Sequence, residues 1–498
     1  TVPLTGRVVI SSDPKSLALT NPLFLQNINA CPNADYVFWD GTTVPCTPFL
    51  TAKQAGWPEG LRETYSNWAP RFGFAYRPFA GNSTVIRGGV GMYTVTTLGT
   101  VFYSVAGIHD GYQASFLNGW DSSSQPLFQL PNVQTGDPYG LAIGTQKFET
   151  SNQFAKKDPY TVQWNLTVER ALHGNTALRV SYIGSRGVQL TWAPDLNQPA
   201  PSTTDFGSRP PGDFPFPDWF HIYTRSAGAT SSYHSMQTEL IHKYSSGLTF
   251  QSTWTWAHNL SDDASFSSSW FGGEAGEGRS LDRFNRHADW GEVGGTRRHR
   301  WMTTLIYDLP VGRGRRLLGD ANGVLNGIFG GCQMSSIFLW QSGPLLTAWI
   351  PGDSSGTGSQ ASRTGGQRPD SFGNPNISDP GPSHWWDSSV FSCPGGPQGS
   401  QFDACYYASS IGRFGTSRVG NLIGPGTVNL SLGLSKNFRL TERFNLKFAS
   451  SFTNLPNKVN YSDPETNVSS TSFGQTFSAR GSDSGGNRVG QFAVRVEF

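Results

Sequence analysis

Few residues in this sequence could carry chemistry, and the first group is a histidine followed by two aspartates. His258, Asp262 and Asp263 lie where the alternating segment TWTWAHNLSDD runs into a polar stretch. Such side chains can transfer protons or hold a divalent cation. Their spacing fits the end of a strand better than a ligand set, so we predict no catalytic residue and no resident metal. If calcium binds in the acidic loops, Asp262 and Asp263 are the first ligands to test.

A pair of tryptophans beside His384 forms the second group. Trp385 and Trp386 lie in a long polar stretch, and their rings could stack on a sugar or an aromatic ligand. Aromatic residues in loops at a membrane interface have the same sequence appearance. The pair is therefore a weak ligand-binding candidate. The sequence has neither an HExxH metal-binding pair nor a phosphate-binding loop ending in Lys-Ser/Thr. We predict a protein that is not an enzyme and needs no cofactor.

Five cysteines point to the compartment. Cys31 and Cys46 bracket one polar segment, and Cys393 and Cys405 bracket another. Two short loops closed by disulfides would suit an oxidising environment, whereas the CxxC spacings of a zinc site are missing. Cys332 is left over, and we predict a reduced thiol within a strand.

Composition favours strands over helices. Of the 498 residues, 13% are aromatic and only 14% are charged, with 59 glycines and 32 prolines. The formal net charge of +2 gives no electrostatic reason to expect a nucleic-acid partner. No run of about eighteen apolar residues could cross a membrane as a helix, but a barrel strand needs only about ten alternating residues.

Apolar and polar residues alternate with a period of two along the chain, and this pattern predicts the β-strands that position these residues. In the last segment, Phe492, Val494, Val496 and Phe498 share one face, and polar residues occupy most of the other. The same pattern recurs in upstream pairs, giving roughly eleven strands. Turns within pairs are mostly short, whereas the links at 95–157, 188–231, 260–296, 343–426 and 456–487 are long. This asymmetry favours an antiparallel transmembrane β-barrel with long extracellular loops and short periplasmic turns. The alternative is a soluble β-sandwich.

Six segments, in the same order, resemble the Oar-like TonB-dependent receptors, which are outer-membrane transporters. They are NWAPRFGFAYRPF with STVIRGGVGMY, DPYTVQWNLTVERALHGNTALRVSYIGSRG, YHSMQTELIHKYSSGLTFQSTWTWAHNLSDD, RRHRWMTTLIYDLPVGRGRRLL, LWQSGPLLTA and NLSLGLSKNFRLTERFNLKFASSFTNLPN. The resemblance implies a 22-stranded barrel in a Gram-negative outer membrane, of which this chain would hold about the last eleven strands. Residues 67–498 would be the C-terminal part of the barrel. Residues 1–66 would be an extracellular loop region with a possible disulfide. The plug and an N-terminal regulatory-like domain are not visible in this chain.

The resemblance also implies a function and partners. It predicts uptake of a bulky nutrient, energised by the TonB complex through the plug. Outer-membrane lipid would surround the barrel, and the barrel assembly machinery would read Phe492, Val494, Val496 and Phe498 as its signal. Outer-membrane adhesion or protein export of the Oar type is the alternative, and a soluble β-rich carbohydrate-binding protein is the second. Arg313 and its neighbours should lie at the periplasmic rim, in contact with lipid headgroups or solvent.

Overall fold

One large sheet dominates the protein, which we describe from a computed structural model. The structure describes residues 9–19, 35–37, 43–45, 50–56, 67–79, 81, 83–94, 150–152, 157–216, 222–262, 280–359, 367–396, 398, 410–439, 444–481 and 486–497. The sheet has 13 strands, of which all but two short ones form a row in chain order with antiparallel pairing throughout. The row comprises β1 (Arg71–Tyr76), β2 (Thr84–Thr94), β3 (Tyr160–Ala171), β4 (Thr176–Trp192), β5 (Tyr223–Ser245), β6 (Leu248–Ser261), β7 (His299–Asp308), β8 (Cys332–Gln341), β9 (Thr427–Arg439), β10 (Asn445–Thr453) and β11 (Val489–Glu497). The predicted all-β, antiparallel fold class is confirmed.

The remaining elements are short. Two strands flank the row: Thr150–Asn152 beside β5 and Gly291–Glu292 beside β6. Five two-stranded ribbons pair Val9–Ile10 with Leu50–Thr51, Asp35–Val37 with Thr43–Pro45, Leu345–Leu346 with Leu422–Ile423, Asp370–Ser371 with Phe391–Ser392, and Asn376–Gly381 with His384–Trp386. In the described ranges, the α-helices are Pro14–Leu19 and Gly323–Phe329, and the 3-10 turns are Phe206–Ser208, Pro211–Asp213, Arg286–Asp289 and Ser388–Val390. Within the described ranges, no helix is long and apolar enough to cross a membrane.

The strand register keeps one set of side chains on one face across the whole sheet. Residues that lie directly opposite each other on neighbouring strands point to the same face. One such row runs through Phe74, Gly88, Leu166, Tyr182, Met236 and Trp256. The apolar halves of the predicted alternation therefore meet on a single face, which we call the outer face. The opposite face is called the inner face.

Backbone geometry fixes the tightest hairpin turn. Ser245 pairs with Leu248, so Ser246 and Gly247 alone connect β5 to β6. Both have positive φ, 53° and 84°, as a type I′ turn requires. Because the strands alternate in direction, this turn shares a rim with the links that follow β1, β3, β7 and β9. The links that follow β2, β4, β6, β8 and β10 share the opposite rim.

Two strands are longer than the sequence indicates. β4 ends at Trp192 and β5 begins at Tyr223, inside the predicted 188–231 link. The extra length of β5 contains SAGATSS, whose small side chains give no apolar alternation. The register between these strands also shifts between Ala227 and Ala229 and again before Ser231, which breaks a two-residue period.

Candidate functional site

The outer face exposes large apolar side chains from one edge of the sheet to the other. Phe72 on β1 is 68% exposed, Leu166 on β3 is 48% exposed, and Phe492 on β11 is 66% exposed. Val494 and Val496 continue this face on β11. A continuous apolar surface of this width is unfavourable in water and marks contact with lipid or protein.

Aromatic rings on the outer face cover glycines of the neighbouring strand. A Cβ atom at Gly184 would lie 2.3 Å from the ring of Trp164, and one at Gly88 would lie 2.5 Å from the ring of Phe74. Phe452 covers the glycine opposite it in the same way. Each ring occupies space that only a glycine leaves free, so these pairs pin the register of adjacent strands.

Charged side chains of alternating sign cross four neighbouring strands, β2 to β5, on the inner face, and a glutamine on β6 extends the row. Arg87 lies 3.3 Å from Glu169, whose other oxygen lies 2.7 Å from Nε of Arg179. Arg179 also donates to Glu239 at 2.6 Å, and Glu239 accepts a hydrogen bond from Gln251. We call this row the charge ladder. Register explains it, because Arg179 stands directly opposite both glutamates.

The charge ladder lines an open cavity of about 430 Å³. Asn165, Thr167, Ser181, Gln237 and Thr253 complete the lining. With two arginines and two glutamates, the ladder sums to no net charge, and its donors and acceptors largely satisfy one another. It can hold a polar wall in shape and offer hydrogen bonds, but it contains no activated nucleophile.

Further along the same inner face, the wall becomes apolar. Met302, Ile306 and Ile337 are 39%, 47% and 52% exposed. Met302 stands opposite Thr253 of the cavity lining, which places the patch on the inner face. Small residues, including Ser335 and Gly433, surround a second open cavity of about 370 Å³. The inner face therefore combines a charged region on β2 to β5 with an apolar patch on β7 and β8.

Long links at one rim fold together into a packed layer, here called the loop layer. Ser202 donates its backbone N–H to the carbonyl of Ser355 at 2.9 Å, which joins the link after β4 to the link after β8. Gln198 donates to the carbonyl of Leu281 at 2.9 Å, and Arg368 pairs with Asp289 at 3.1 Å. Three of the links thus bond to one another.

The loop layer has a hydrophobic core of its own. Its buried members are Ala348, Ile350, Trp386, Val390, Phe391, Leu422, Val468 and Phe473. The ring of Phe473 lies 5.6 Å from that of Trp386 and 5.8 Å from that of Phe391. Sequence reasoning missed this core because its members are scattered singly among Gly, Ser and Pro, without a period to reveal them.

An ion pair between an exposed arginine and a buried aspartate braces the same layer. Arg413 lies 2.5 Å from Asp370, which also accepts hydrogen bonds from the backbone of Gly395 and Thr416. Burial by itself raises the pKa of Asp370. The hydrogen bonds and the charge of Arg413 outweigh burial, and the pKa lies below its ordinary value of 3.8.

The structure describes only one of the two aspartates proposed as calcium ligands. Asp262 is buried and pairs with Arg286 at 2.8 Å, while its other oxygen accepts from the backbone of Thr230. Asp263 lies outside the described residues. His258 contacts Glu292 at 2.6 Å and not Asp262. No group of three or more possible metal ligands occurs in the part of the chain that is described.

The two tryptophans differ in their surroundings. Trp386 is fully buried in the loop-layer core, so it has no free ring face for a ligand. Trp385 is partly buried and packs edge-on against Tyr461 at 6.3 Å. Both indole N–H groups donate to the carbonyl of Ile423. Ligand binding by Trp385 stays a prediction.

The cysteines are only partly covered by the described residues. Cys393 is disulfide-bonded, and Cys332 is a free thiol at the start of β8. Cys31, Cys46 and Cys405 lie outside the described residues, so both pairings stay predictions. Phe498 also lies outside them, whereas the rest of the proposed assembly signal lies on β11.

One serine in the loop layer has the GxSxG spacing of a hydrolase nucleophile, at residues 352–356. Ser354 lies 2.8 Å from the side-chain oxygen of Gln367 and 3.1 Å from the carbonyl oxygen of Arg413. Among the described residues, no histidine is hydrogen-bonded to it. These contacts give the hydroxyl a structural role.

An apolar, exposed outer face backed by a polar inner face is the arrangement of a barrel wall in a membrane. The family model described as the outer membrane beta barrel domain matches residues 26–491. The chain belongs to this family. The predicted location in the outer membrane is therefore confirmed, and the soluble alternative is wrong, because the family is one of outer-membrane barrels.

The sequence identity to similar solved structures is low. The outer membrane transporter YddB from Escherichia coli has 9% identity, with 86% of this chain and 40% of that chain covered and a TM-score of 0.43. The FrpB iron transporter from Neisseria meningitidis has 10% identity, with 93% and 41% covered and a TM-score of 0.37. The chain thus spans about two fifths of the length of these transporters. A comparison with curated proteins found no match.

Proposed function

We propose that this chain forms part of the barrel wall of a TonB-dependent receptor that takes up a bulky nutrient. The ordered resemblance of six segments to Oar-like receptors supports this reading, as does membership of the outer-membrane barrel family. The chain would act as a receptor and transporter wall and not as an enzyme. Residues 67–498 would form the C-terminal part of the barrel, with residues 1–66 an extracellular loop region.

The observation that carries the proposal is the mixed inner face. A water-filled channel is lined by polar residues throughout. Met302, Ile306 and Ile337 are instead exposed toward the lumen. Such side chains are better accommodated by a lumen filled with a folded plug, on which the TonB complex would act. The charge ladder would face the same plug or the passing nutrient.

The sheet edges support a shared wall. In the described part of the chain, β1 and β11 each pair with one neighbour only. Unpaired backbone groups are not tolerated in lipid, so further strands must close the barrel. The barrel assembly machinery would bind the β11 segment that contains Phe492, Val494 and Val496.

Growth assays with the full-length gene test this function. Cells should need both the gene and an intact TonB complex to grow on one limiting bulky nutrient, screened across ferric siderophores, cobalamin and oligosaccharides. A matched strain that lacks only the TonB complex should fail on the same nutrient. If no nutrient depends on the gene, while deletion abolishes surface adhesion or protein release, the export or adhesion alternative holds instead.

A further inference from the structure

One link on the short-turn rim differs from the others in length and in surface. The link between β7 and β8 covers residues 309–331 and contains the helix Gly323–Phe329. It carries three arginines (Arg313, Arg315 and Arg316) against a single aspartate, Asp320. We call it the basic link.

The basic link is ordered by its own hydrogen bonds. The Asn322 side chain caps the helix by accepting from the N–H of Leu325 at 2.9 Å. The side chain of Asn326 accepts from the N–H of Arg313 at 2.8 Å, which ties the arginine segment to the helix. Gly312 packs so closely on this helix that a Cβ atom there would lie 2.7 Å from Gly330. The link is a compact element with a fixed surface.

That surface is apolar where a water-exposed turn should be polar. Its exposed apolar side chains, between 40% and 72% exposed, are Leu317, Leu318, Val324, Leu325, Ile328 and Phe329. Val324 and Ile328 lie four residues apart on the helix, as do Leu325 and Phe329, so the four side chains share one side. The three arginines are exposed in the same link.

A buried lysine joins the basic link to the membrane-facing side of the sheet. Lys436 on β9 stands opposite Cys332, between the outer-face residues Leu434 and Phe438. Only 9% of it is exposed, because its ammonium group donates to the carbonyl of Gly330 at the helix end and lies 4.9 Å over the ring of Phe438. The C-terminal end of the basic link therefore lies against the lipid-facing side of the sheet.

We propose that the basic link is an interfacial anchor that binds anionic phospholipid in the periplasmic leaflet of the outer membrane. Its apolar side chains enter the boundary between headgroups and acyl chains, and its arginines bind lipid phosphate. The occupant is a lipid because the patch combines apolar surface with positive charge, and the link that carries it is held against the lipid-facing side of the sheet by Lys436. The choice of leaflet rests on the proposed function and on the predicted orientation, in which the short turns are periplasmic.

Photo-cross-linking in outer membranes tests the occupant. A benzoylphenylalanine placed at Val324 in the full-length protein should yield phospholipid adducts. The matched probe at Phe372, an exposed apolar residue in the loop layer at the opposite rim, should yield none. A polypeptide adduct at Val324, or no adduct, would overturn the proposal. Lipopolysaccharide adducts would overturn the leaflet assignment.

Charge preference is tested with the same probe in vesicles of phosphatidylglycerol and phosphatidylcholine. Each arginine near an anionic surface should favour the anionic lipid about fivefold, so the double variant Arg315→Gln/Arg316→Gln should lower the adduct ratio about 25-fold. The matched double variant Arg418→Gln/Arg488→Gln, at the opposite rim, should leave the ratio unchanged. An unchanged ratio in the first variant refutes the role of the arginines. Nutrient uptake by the unsubstituted protein is scored separately, so absence of TonB-dependent uptake together with intact lipid adducts would contradict only the proposed function.

Discussion

Replacing the central arginine of the charge ladder should destabilise the barrel wall. Arg179→Gln removes two ion pairs and leaves Glu169 and Glu239 without their shared partner. The Arg179 side chain is 43% exposed, but the two glutamates are only 22% and 13% exposed. Exposed ion pairs contribute roughly 0.2–1 kcal/mol each to the free energy of unfolding. The loss is larger here because the two glutamates are mostly shielded from water and would be left poorly solvated without their partner. After allowance for screening by solvent, we expect a loss of about 1–3 kcal/mol.

The assay is urea unfolding of the full-length protein in phospholipid vesicles, followed by tryptophan fluorescence. Arg300→Gln is the matched control, because Arg300 is an exposed arginine on the same face, with no ion pair among the described residues. In a double-mutant cycle, Arg179→Gln and Glu239→Gln should be less than additive, since each removes the same contact. Equal losses for Arg179→Gln and Arg300→Gln, with full additivity, would refute the ladder as a stabilising unit.

Three further changes probe the wall and the loop layer. Gly184→Ala should displace the ring of Trp164 and lower the unfolding midpoint. Gly73→Ala should be tolerated, because the added Cβ atom would meet only one atom, 3.6 Å away. Near-UV circular dichroism, which reports on the packing of the tryptophan ring, distinguishes the two variants. Stability that depends on the lowered pKa of Asp370 is present above pH 3.8 and is lost as the pH falls further, so hydrogen exchange in the loop layer should accelerate only below that pH. Asp370→Asn should exchange fast at every pH, and unchanged exchange would contradict the pair. Trp386→Ala should expose residues 342–426 to limited proteolysis while the strands stay protected, at a local cost of about 3–5 kcal/mol.

The sheet was predictable from sequence because its signal is local and repeated. In β11, the alternation of Phe492, Val494 and Val496 with polar residues gives the face of each side chain directly. Tight turns such as Ser246-Gly247 set the pairing of neighbours. The chain order of the strands then follows, since a meander adds each new strand beside the last. The full count of 22 strands stays a prediction.

The site was less predictable because its contacts join residues far apart in the chain. Arg179 and Glu239 are separated by 60 positions, and only the register of two strands brings them together. Trp386 shares a core with Phe473, although neither belongs to an apolar period. Asp262 stood out for its charge, yet its partner Arg286 lies in another part of the link. Residue type alone could not tell a buried ion pair from a metal ligand.

The two faces of the wall tolerate different amino-acid substitutions. On the outer face, Trp164 and Gly184 are matched in shape, so substitution there alters strand packing whatever fills the barrel. On the inner face, Ile306 and Ile337 remain exposed in the wall by itself, and the proposed plug would be what buries them. Polar substitution of these two residues should therefore leave the folding of the sheet nearly unchanged but weaken retention of a plug. In an open channel the folding of the sheet would be equally unaffected, but there would be no plug whose retention could weaken, which makes this pair the most direct distinction between a plugged receptor and an open channel.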